Sequence, residues 1–160
     1  FSTNASLNNN LRNCNVSFLS DNWIYEIINP FINEANKKAK WNYDIDWVEP
    51  CQFTEYNPGQ HYDYHCDAIA TPYEMNDKNF NGKIRKLSCT LLLNDPNDYD
   101  GGQFEFDYRN TNQSNKKQVN EINQIGTILI FPSFVWHKVF PITKGVRYSL
   151  VAWYLGLPFR

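Results

Sequence analysis

Three side chains that bind transition metals stand out in this sequence by their types and their spacing. His65 and Asp67 lie two residues apart, and His137 follows far downstream. On a β-strand, residues i and i+2 point to the same face, so His65 and Asp67 can converge on one ion. Two histidines and one carboxylate form the facial set that holds iron(II) and leaves half of its octahedron open to reactants. The sequence therefore predicts a metal centre at these three residues.

A cation that suits an anionic co-reactant follows this set. Arg147 lies ten residues after His137 and opens an apolar run that predicts a strand. Strand alternation puts it on one face with Ser149, Val151 and Trp153, which we expect to form the interior of a barrel. A guanidinium there is costly unless an anion pairs with it, and its planar fork suits a carboxylate. The combination indicates an Fe(II) oxygenase in which Arg147 holds the distal carboxylate of 2-oxoglutarate.

The composition restricts the class of protein. With 160 residues, 42% of them hydrophobic, the chain is expected to form one domain over residues 1–160, alone or within a longer chain. Its 17 acidic and 15 basic residues leave no electrostatic footprint for nucleic acid. No apolar run reaches the roughly 18–20 residues of a membrane span, and no signal peptide is visible. The four scattered cysteines predict reduced thiols.

Two patterns of apolar residues predict the secondary structure. After Ser20 or Asp21 as a cap, apolar side chains recur at helical spacing, and the helical stretch continues through 33–39. Apolar and polar residues then alternate over 41–47, as in a half-buried strand. We expect an α+β, mainly β, fold with one or two N-terminal helices behind a β-sandwich or open barrel. The other predicted strands are 52–56, 61–66, 86–93, 103–107, 127–131 and 147–154.

A family resemblance rests on three segments. Residues 56–67 read YNPGQHYDYHCD and resemble the YxxGxxYxxHxD segment of prolyl 4-hydroxylase-like Fe(II)/2-oxoglutarate-dependent dioxygenases. Residues 85–106, with SCTLLLN and paired glycines, and residues 126–153 are similar to the other core segments of that family. RNC at 12–14 and WNYD at 41–44 are similar to its PKHD-type branch of bacteria and phages. The resemblance implies a double-stranded β-helix, that is, a jelly-roll or cupin-like barrel.

The resemblance also implies roles by position. The three residues named first would be the iron ligands, and Arg147 would bind the C5 carboxylate of 2-oxoglutarate. Tyr56 and Ser88 fall where the family places hydroxyls around that carboxylate, and Trp153 falls where a tryptophan lines the pocket. Tyr56 and Trp153 also fit a purely structural role in the core. The implied cofactors are Fe(II), with 2-oxoglutarate and O2 as co-substrates, and the family also admits ascorbate.

A second His-x-Asp pair, His61 and Asp63, competes for the metal. All four positions share strand parity, but the two pairs lie about 13 Å apart along an extended strand and cannot serve one ion. We assign the metal to the later pair because Gly59 and Tyr62 then fall in the register of the family. His61 is expected at the rim of the cleft.

The resemblance implies hydroxylation of an unactivated C–H bond, with 2-oxoglutarate converted to succinate and CO2. A peptidyl proline in a peptide or protein is the favoured substrate. The polar connections 68–83 and 108–123 are candidate lids. Candidates for a groove that stacks on prolines are Tyr62, Tyr64, Tyr73 and Tyr108. Candidates for walls that keep water out are Phe131, Trp136 and Trp153.

Other classes of protein stay open. A non-catalytic double-stranded β-helix module, such as a binding or virion domain, would have no need for three metal ligands and Arg147. A cupin-type isomerase or dioxygenase without 2-oxoglutarate usually carries three histidines instead. A free amino acid or other small molecule stays open as the substrate. We expect a cytoplasmic location, in a bacterium or in the host cell if the chain is phage-encoded, and nothing specifies an oligomeric state.

Overall fold

The structure of the protein is a computed structural model in which residues 11–109 and 115–159 are described. Within these stretches one α-helix and 13 strands follow one another, with a 3-10 turn at Pro96–Asp98. The elements are β1 (Arg12–Asn13), β2 (Asn15–Leu19), α1 (Asn22–Lys38), β3 (Trp47–Val48), β4 (Cys51–Tyr56), β5 (His61–His65), β6 (Ile84–Leu92), β7 (Tyr99–Gly101), β8 (Phe104–Asp107), β9 (Lys116–Gln118), β10 (Ile128–Pro132), β11 (Trp136–Val139), β12 (Ile142–Gly145) and β13 (Arg147–Gly156).

Two antiparallel sheets make up most of the fold. One has the order β1-β5-β11-β8-β9, and the other has the order β10-β6-β13-β4-β2 with β3 added to β13. β7 and β12 pair as a separate ribbon. Strands far apart in sequence are neighbours in both sheets, as a jelly roll requires. The predicted mainly β, double-stranded β-helix fold is confirmed.

The helix α1 packs on one face of the six-stranded sheet. Ile24, Ile28 and Ile32, one turn apart, join a core cluster with side chains of β4, β6 and β13. The hydroxyl of Tyr154 on β13 donates a hydrogen bond of 2.8 Å to Oδ1 of Asn29, which ties the helix to the sheet. The apolar residues on the other side of the helix, Trp23, Ile27 and Phe31, are exposed.

The space between the two sheets holds a second apolar cluster. Strand alternation turns every other residue of β4, β6 and β13 away from the helix and towards the five-stranded sheet. This inner cluster leaves room beside it for polar side chains, which form the site described below. Its buried members are Tyr56, Phe104, Phe106, Val119, Phe131, Val139 and Ile142.

The predicted strand over 41–47 is wrong in its hydrogen bonding and right in its alternation. Only Trp47–Val48 forms a strand, although Tyr43 and Ile45 are half-buried against the helix-side core. The side chain of Asn36 explains this, because its Nδ2 donates to the Tyr43 carbonyl at 2.9 Å and its Oδ1 accepts from the Tyr43 N–H at 3.0 Å. A helix side chain thus takes the place of a neighbouring strand.

Three smaller expectations can be compared with the structure. The helix is a single element of 17 residues that continues through Pro30, and its N-cap residue Asp21 makes no side-chain capping bond. The four cysteines are free thiols, and burial raises the pKa of Cys51 to about 11. Within the described ranges, no helix has the length and apolar character that crossing a membrane demands.

Replacing Ile28 with alanine is expected to lower the free energy of unfolding by about 2–5 kcal/mol, because a buried aliphatic side chain would leave a cavity between helix and sheet. Ile28 is 1% exposed, whereas its neighbour Ile27 is 54% exposed and serves as the matched control. Ile27→Ala should change stability by no more than about 0.5 kcal/mol. Urea denaturation followed by circular dichroism measures both. Equal losses in the two variants would contradict the packing described.

Candidate functional site

The three predicted metal ligands come together between the sheets. His65 ends β5, His137 lies directly opposite it on β11, and Asp67 follows two residues after His65. One ligand atom from each residue lies within 4.8 Å of the others. Oδ1 of Asp67 is 3.8 Å from Nε2 of His65, and Oδ2 is 3.6 Å from Nε2 of His137. Asp67 and His137 are buried, so the cluster is not a chance meeting of surface side chains.

A bulge in β5 sets the direction of His65. His137 pairs with His65 and Val139 pairs with Tyr62. Between these two pairs the chain advances two residues along β11 but three along β5, so β5 has one extra residue. The extra residue turns Tyr62 and His65 towards the same cavity. The expectation that residues 61, 63, 65 and 67 share one face is therefore wrong, because it assumed an unbroken alternation. Asp67 is reached beyond the strand end, where its N–H donates to the Ser133 carbonyl at 2.9 Å.

Hydrogen bonds fix which nitrogen of each imidazole is free. Nδ1 of His65 lies 2.8 Å from the Asp63 carbonyl, and Nδ1 of His137 lies 2.9 Å from the Val135 carbonyl. A carbonyl oxygen only accepts, so Nδ1 carries the proton in both rings. The Nε2 lone pairs are then left to face Asp67. A hydrogen bond from the ring nitrogen that does not bind the metal is what orients histidine ligands on metals.

Aromatic rings hold the two imidazoles in place. Tyr62 stacks on His65 with ring centroids 3.4 Å apart and planes 9° apart. Phe104 stacks on His137 at 5.3 Å and 12°, and Phe131 meets the same ring edge-on at 4.8 Å. The imidazoles therefore have little freedom to turn away from Asp67.

Burial keeps His65 neutral. The pKa of His65 falls from its ordinary value of 6.5 to about 4, first because the ring is buried and second because His137 lies beside it. A neutral imidazole with a free Nε2 is the form that binds a metal ion. His65 is thus in its ligating form at neutral pH without having to lose a proton.

Arg147 is a buried cation that has no acidic partner in the described part of the chain. It is 2% exposed and lies opposite Tyr56 in the pairing of β13 with β4. Nη1 donates to the Ser149 hydroxyl at 3.2 Å, and the guanidinium carbon is 5.7 Å from the centre of the Tyr56 ring. None of the ion pairs among the described residues includes it. Such a charge is stabilised best by an anion from outside the chain.

One cavity of about 40 Å³ is lined by the three predicted metal ligands and by Arg147 together. Larger hollows of about 320 Å³, near Gly101, and 690 Å³, near Phe159, contain none of the three. Arg147, Ser149, Val151 and Trp153 all line the smaller cavity, which confirms the predicted alternation of β13. The remaining lining residues are Gln52, Tyr56, Tyr62, Cys89, Thr90, Phe104, Phe131 and Val139.

The other predicted co-substrate residues lie in different environments. Tyr56 is 4% exposed and lines the cavity, and burial raises the pKa of its phenol, so the hydroxyl keeps its proton. Trp153 also lines the cavity, and its buried Nε1 has no hydrogen-bond partner among the described residues. Ser88 is fully buried, and its hydroxyl lies 3.0 Å from that of Ser133. Thr90, two residues along the same strand, lines the cavity in its place.

The four tyrosines that are candidates for a stacking groove have different surroundings. Tyr62 lines the cavity, whereas the hydroxyl of Tyr64 donates to Glu105 and its ring lies beside Lys138. Tyr73 donates to a buried glutamate, and Tyr108 is exposed. The bulge sends Tyr62 and Tyr64 in different directions, so these two do not line the same surface, and a groove that stacks on prolines stays a prediction.

Two of the three candidate wall residues line the cavity, and both candidate lids contain backbone hydrogen bonds of their own. Phe131 and Trp153 line the cavity, whereas the ring of Trp136 is covered by the guanidinium of Arg109 at 3.7 Å. In the connection 68–83, Tyr73 and Gly82 close the loop on itself through backbone hydrogen bonds. Of the connection 108–123, Lys116–Gln118 pairs with β8, and residues 110–114 lie outside the described part.

A buried carboxylate beside the site has only a faint signal in the sequence. Glu49 is 8% exposed and accepts from Nε and Nη2 of Arg85 at 2.7 and 2.6 Å and from the Tyr73 hydroxyl at 2.9 Å. The guanidinium carbon of Arg85 lies 4.0 Å from the centre of the Trp153 ring. The one signal in the sequence is that Glu49 lies between the apolar residues Val48 and Pro50. Apolar neighbours alone do not show that a glutamate is buried.

Comparison with known proteins shows which family this chain belongs to. The family model of the 2OG-Fe(II) oxygenase superfamily matches residues 51–155, more than half of the 160 residues. The chain belongs to this superfamily. The matched segment contains the His-x-Asp pair, His137 and Arg147, so the predicted family is confirmed.

Among the proteins whose sequences match this chain are bacterial PKHD-type hydroxylases. One from Sphingopyxis alaskensis is 35% identical over 101 residues, which cover 62% of this chain and 41% of the relative. One from Picosynechococcus is 34% identical over 106 residues, covering 66% of this chain and 42% of the relative. The chain thus spans less than half the length of the curated relatives it matches.

Several prolyl hydroxylases of known structure share this fold. A Pseudomonas putida prolyl-4-hydroxylase superposes with a TM-score of 0.66 at 20% identity, covering 96% of this chain and 76% of the other. A Trichoplax adhaerens prolyl hydroxylase, in complex with a hypoxia inducible factor peptide fragment, gives 0.68 at 18% identity, with coverages of 96% and 70%. At these identities the likeness establishes the fold alone.

The metal-free protein is expected to lose stability as the pH falls from about 6.5 to about 4. The unfolded chain takes up a proton on His65 near pH 6.5, but the folded protein does so only near pH 4. Between these values the unfolded state binds more protons, so the free energy of unfolding drops by up to about 3 kcal/mol from this residue. Urea denaturation in EDTA at several pH values measures it. His65→Gln removes this part of the slope, and parallel curves for the two proteins would refute it.

Proposed function

We propose that this protein is an Fe(II)- and 2-oxoglutarate-dependent dioxygenase that hydroxylates an unactivated C–H bond. The observation that carries the proposal is that one cavity is lined both by a two-histidine, one-carboxylate cluster and by a buried arginine, which forms no ion pair within residues 11–109 and 115–159. A metal site alone would not need the arginine, and an anion site alone would not need the cluster. Membership of the superfamily supports the same chemistry.

The donor set fits iron(II). Nε2 of His65, Nε2 of His137 and a carboxylate oxygen of Asp67 would hold the ion, which is the facial triad of non-haem iron oxygenases. When bound, the iron together with 2-oxoglutarate and O2 supplies the oxidising power that turns C–H into C–OH, with succinate and CO2 released. The Nδ1–H of each ring donates to a backbone carbonyl, which keeps the ring oriented with Nε2 towards the metal position.

Arg147 would bind the distal carboxylate of 2-oxoglutarate. Its guanidinium is already desolvated and restrained by Ser149, so binding a dicarboxylate replaces an uncompensated buried charge with an ion pair. Tyr56, opposite Arg147 and protonated, would donate a further hydrogen bond to the same carboxylate. Thr90 is a nearby hydroxyl on the cavity wall that can do likewise. These groups orient the co-substrate towards the metal cluster.

The apolar part of the wall would keep the reaction dry. Phe104, Phe131 and Val139 lie around the predicted metal ligands and are buried. Excluding bulk water strengthens the electrostatic contacts inside the cavity and protects the oxidant from side reactions. The cofactor supplies the hard chemistry, and the protein supplies orientation and this shielding.

A peptidyl proline is the substrate class that we propose. The support is analogy, since the solved relatives of this fold are prolyl hydroxylases and one of them holds a peptide fragment. The loops 68–83 and 108–123 remain the candidate lids over such a peptide. A free amino acid or other small molecule is the competing substrate class, and a cytoplasmic location belongs to the same proposal.

Anaerobic addition of Fe(II) and 2-oxoglutarate to the metal-free protein should give the weak visible charge-transfer band of an iron-bound 2-oxo acid. His137→Ala should abolish the band because it removes one of three iron ligands. His61→Ala is the matched control and should keep it, since His61 lies outside the cluster. Arg147→Gln should keep Mn(II) binding and raise the concentration of 2-oxoglutarate needed by at least about tenfold.

The control for Arg147→Gln is Lys37→Gln, which removes a positive charge from the exposed end of α1. It should bind 2-oxoglutarate as the unaltered protein does. Folded protein that binds iron but gives no band would overturn the proposed function in favour of a non-catalytic module or a different metal enzyme.

Substrate class is tested by supplying O2, Fe(II) and 2-oxoglutarate with a mixture of proline-containing peptides. We expect succinate release to rise above the peptide-free rate and one added oxygen on proline, located by fragmentation mass spectrometry. The same peptides with alanine in place of proline are the control. Stimulation by free amino acids and not by peptides would move the assignment to a small-molecule hydroxylase.

A further inference from the structure

Glu49 holds two different parts of the site with one carboxylate. Its two oxygens take the Nε and Nη2 donors of Arg85 at 2.7 and 2.6 Å, a bidentate pairing that fixes the plane of the guanidinium. Oε1 also accepts the hydroxyl of Tyr73 at 2.9 Å. Glu49 is 8% exposed, so these are buried, charge-assisted contacts and stronger than surface pairs. Breaking one member of such a set is costly.

Through Arg85, Glu49 reaches the wall of the cavity. The fixed guanidinium lies 4.0 Å from the centre of the Trp153 ring. Cation–π contact of this kind is strongest when the cation is desolvated and held flat on the ring. Trp153 lines the cavity, and its buried Nε1 is left without a hydrogen-bond partner among the described residues. The orientation of that unused donor therefore depends on Arg85, and the orientation of Arg85 depends on Glu49.

Through Tyr73, Glu49 also reaches the loop that follows Asp67. The N–H of Tyr73 donates to the Lys83 carbonyl at 2.9 Å, and the N–H of Gly82 donates to the Tyr73 carbonyl at 2.8 Å. Tyr73 thus closes residues 73–83 into a compact loop, and its hydroxyl anchors that loop to Glu49. The loop is joined to Asp67 by a short stretch whose start is pinned to Ser133.

The charge of Glu49 matters as well as its position. Arg85 lies close enough to Asp67 to interact with it electrostatically. With Glu49 ionised, its carboxylate pairs with the guanidinium of Arg85 and neutralises it. Without the charge, an unpaired cation would lie near a cluster meant for a divalent ion and would compete with the ion for Asp67.

We propose that Glu49 is a positioning residue of the site, which sets both the indole of Trp153 in the co-substrate wall and the loop that follows Asp67. The inference rests on the proposed use of 2-oxoglutarate. Because Trp153 and Asp67 belong to the same cavity, removing the charge at residue 49 weakens co-substrate binding and loosens the loop together.

The test compares four variants by two measurements: the dissociation constant for 2-oxoglutarate from the anaerobic Fe(II) band, and amide hydrogen exchange of residues 73–83. Glu49→Gln is nearly isosteric and should raise the constant about tenfold and speed exchange in the loop. Tyr73→Phe should speed exchange alone, with the constant changed less than about twofold. Asp46→Asn is the matched control, because it breaks the 2.9 Å ion pair of Lys83 in the same loop without touching Glu49. It should leave both values unchanged.

Arg85→Lys separates the two branches and keeps the test decisive if Glu49→Gln does not fold. It retains Glu49 and its bond to Tyr73, so the loop should stay protected, but it loses the flat bidentate fork and should raise the constant. A folded Glu49→Gln or Arg85→Lys protein that binds 2-oxoglutarate as tightly as the unaltered protein would overturn the inference. Absence of the band in the unaltered protein is a different result and overturns the proposed function instead.

Discussion

A buried positive charge that finds no counter-ion among the described residues constrains this structure more than any other single feature. Arg147 starts the central strand of the six-stranded sheet and is 2% exposed. An apolar interior around it would be unstable, because the cost of desolvating the charge would not be offset. The same inner face accordingly carries hydroxyls and an amide, and Gln52 donates to Thr54 at 2.9 Å beside it. This face of the sheet is thus a polar wall around a buried cation and not an ordinary apolar core.

Much of the fold and of the candidate site could be predicted because the signals are local. Strand alternation and turn residues gave six strands to within two residues at nearly every end, since both depend on neighbours in sequence. The alternation of β13 also predicted that Arg147 and Trp153 would line one cavity, which they do. The convergence of His65 with His137 was predicted from the metal-binding types of these residues, and the family resemblance supported it, because β5 and β11 are distant in sequence and no local pattern joins them.

The sequence analysis differs from the structure where a contact with a residue distant in sequence overrides a local sequence pattern. Residues 41–46 alternate like a strand, but Asn36 satisfies their backbone at Tyr43, so no ladder is needed. Ser88 was predicted by its position in a motif, whereas the structure places its hydroxyl beside that of Ser133 and places Thr90 on the cavity wall. Glu49 escaped notice because its importance lies in its partners, Arg85 and Tyr73, which are more than 20 residues away.

The bulge in β5 has a consequence for how this chain can vary. Tyr62 and His65 face the same cavity only because three residues of β5 span two of β11. Losing either intervening residue would restore regular pleating and rotate one of the two aromatic rings out of the cavity. Substitutions at those intervening positions keep the register of the bulge, whereas a change in their number does not. The length of this short segment is therefore under tighter constraint than the identity of the side chains within it.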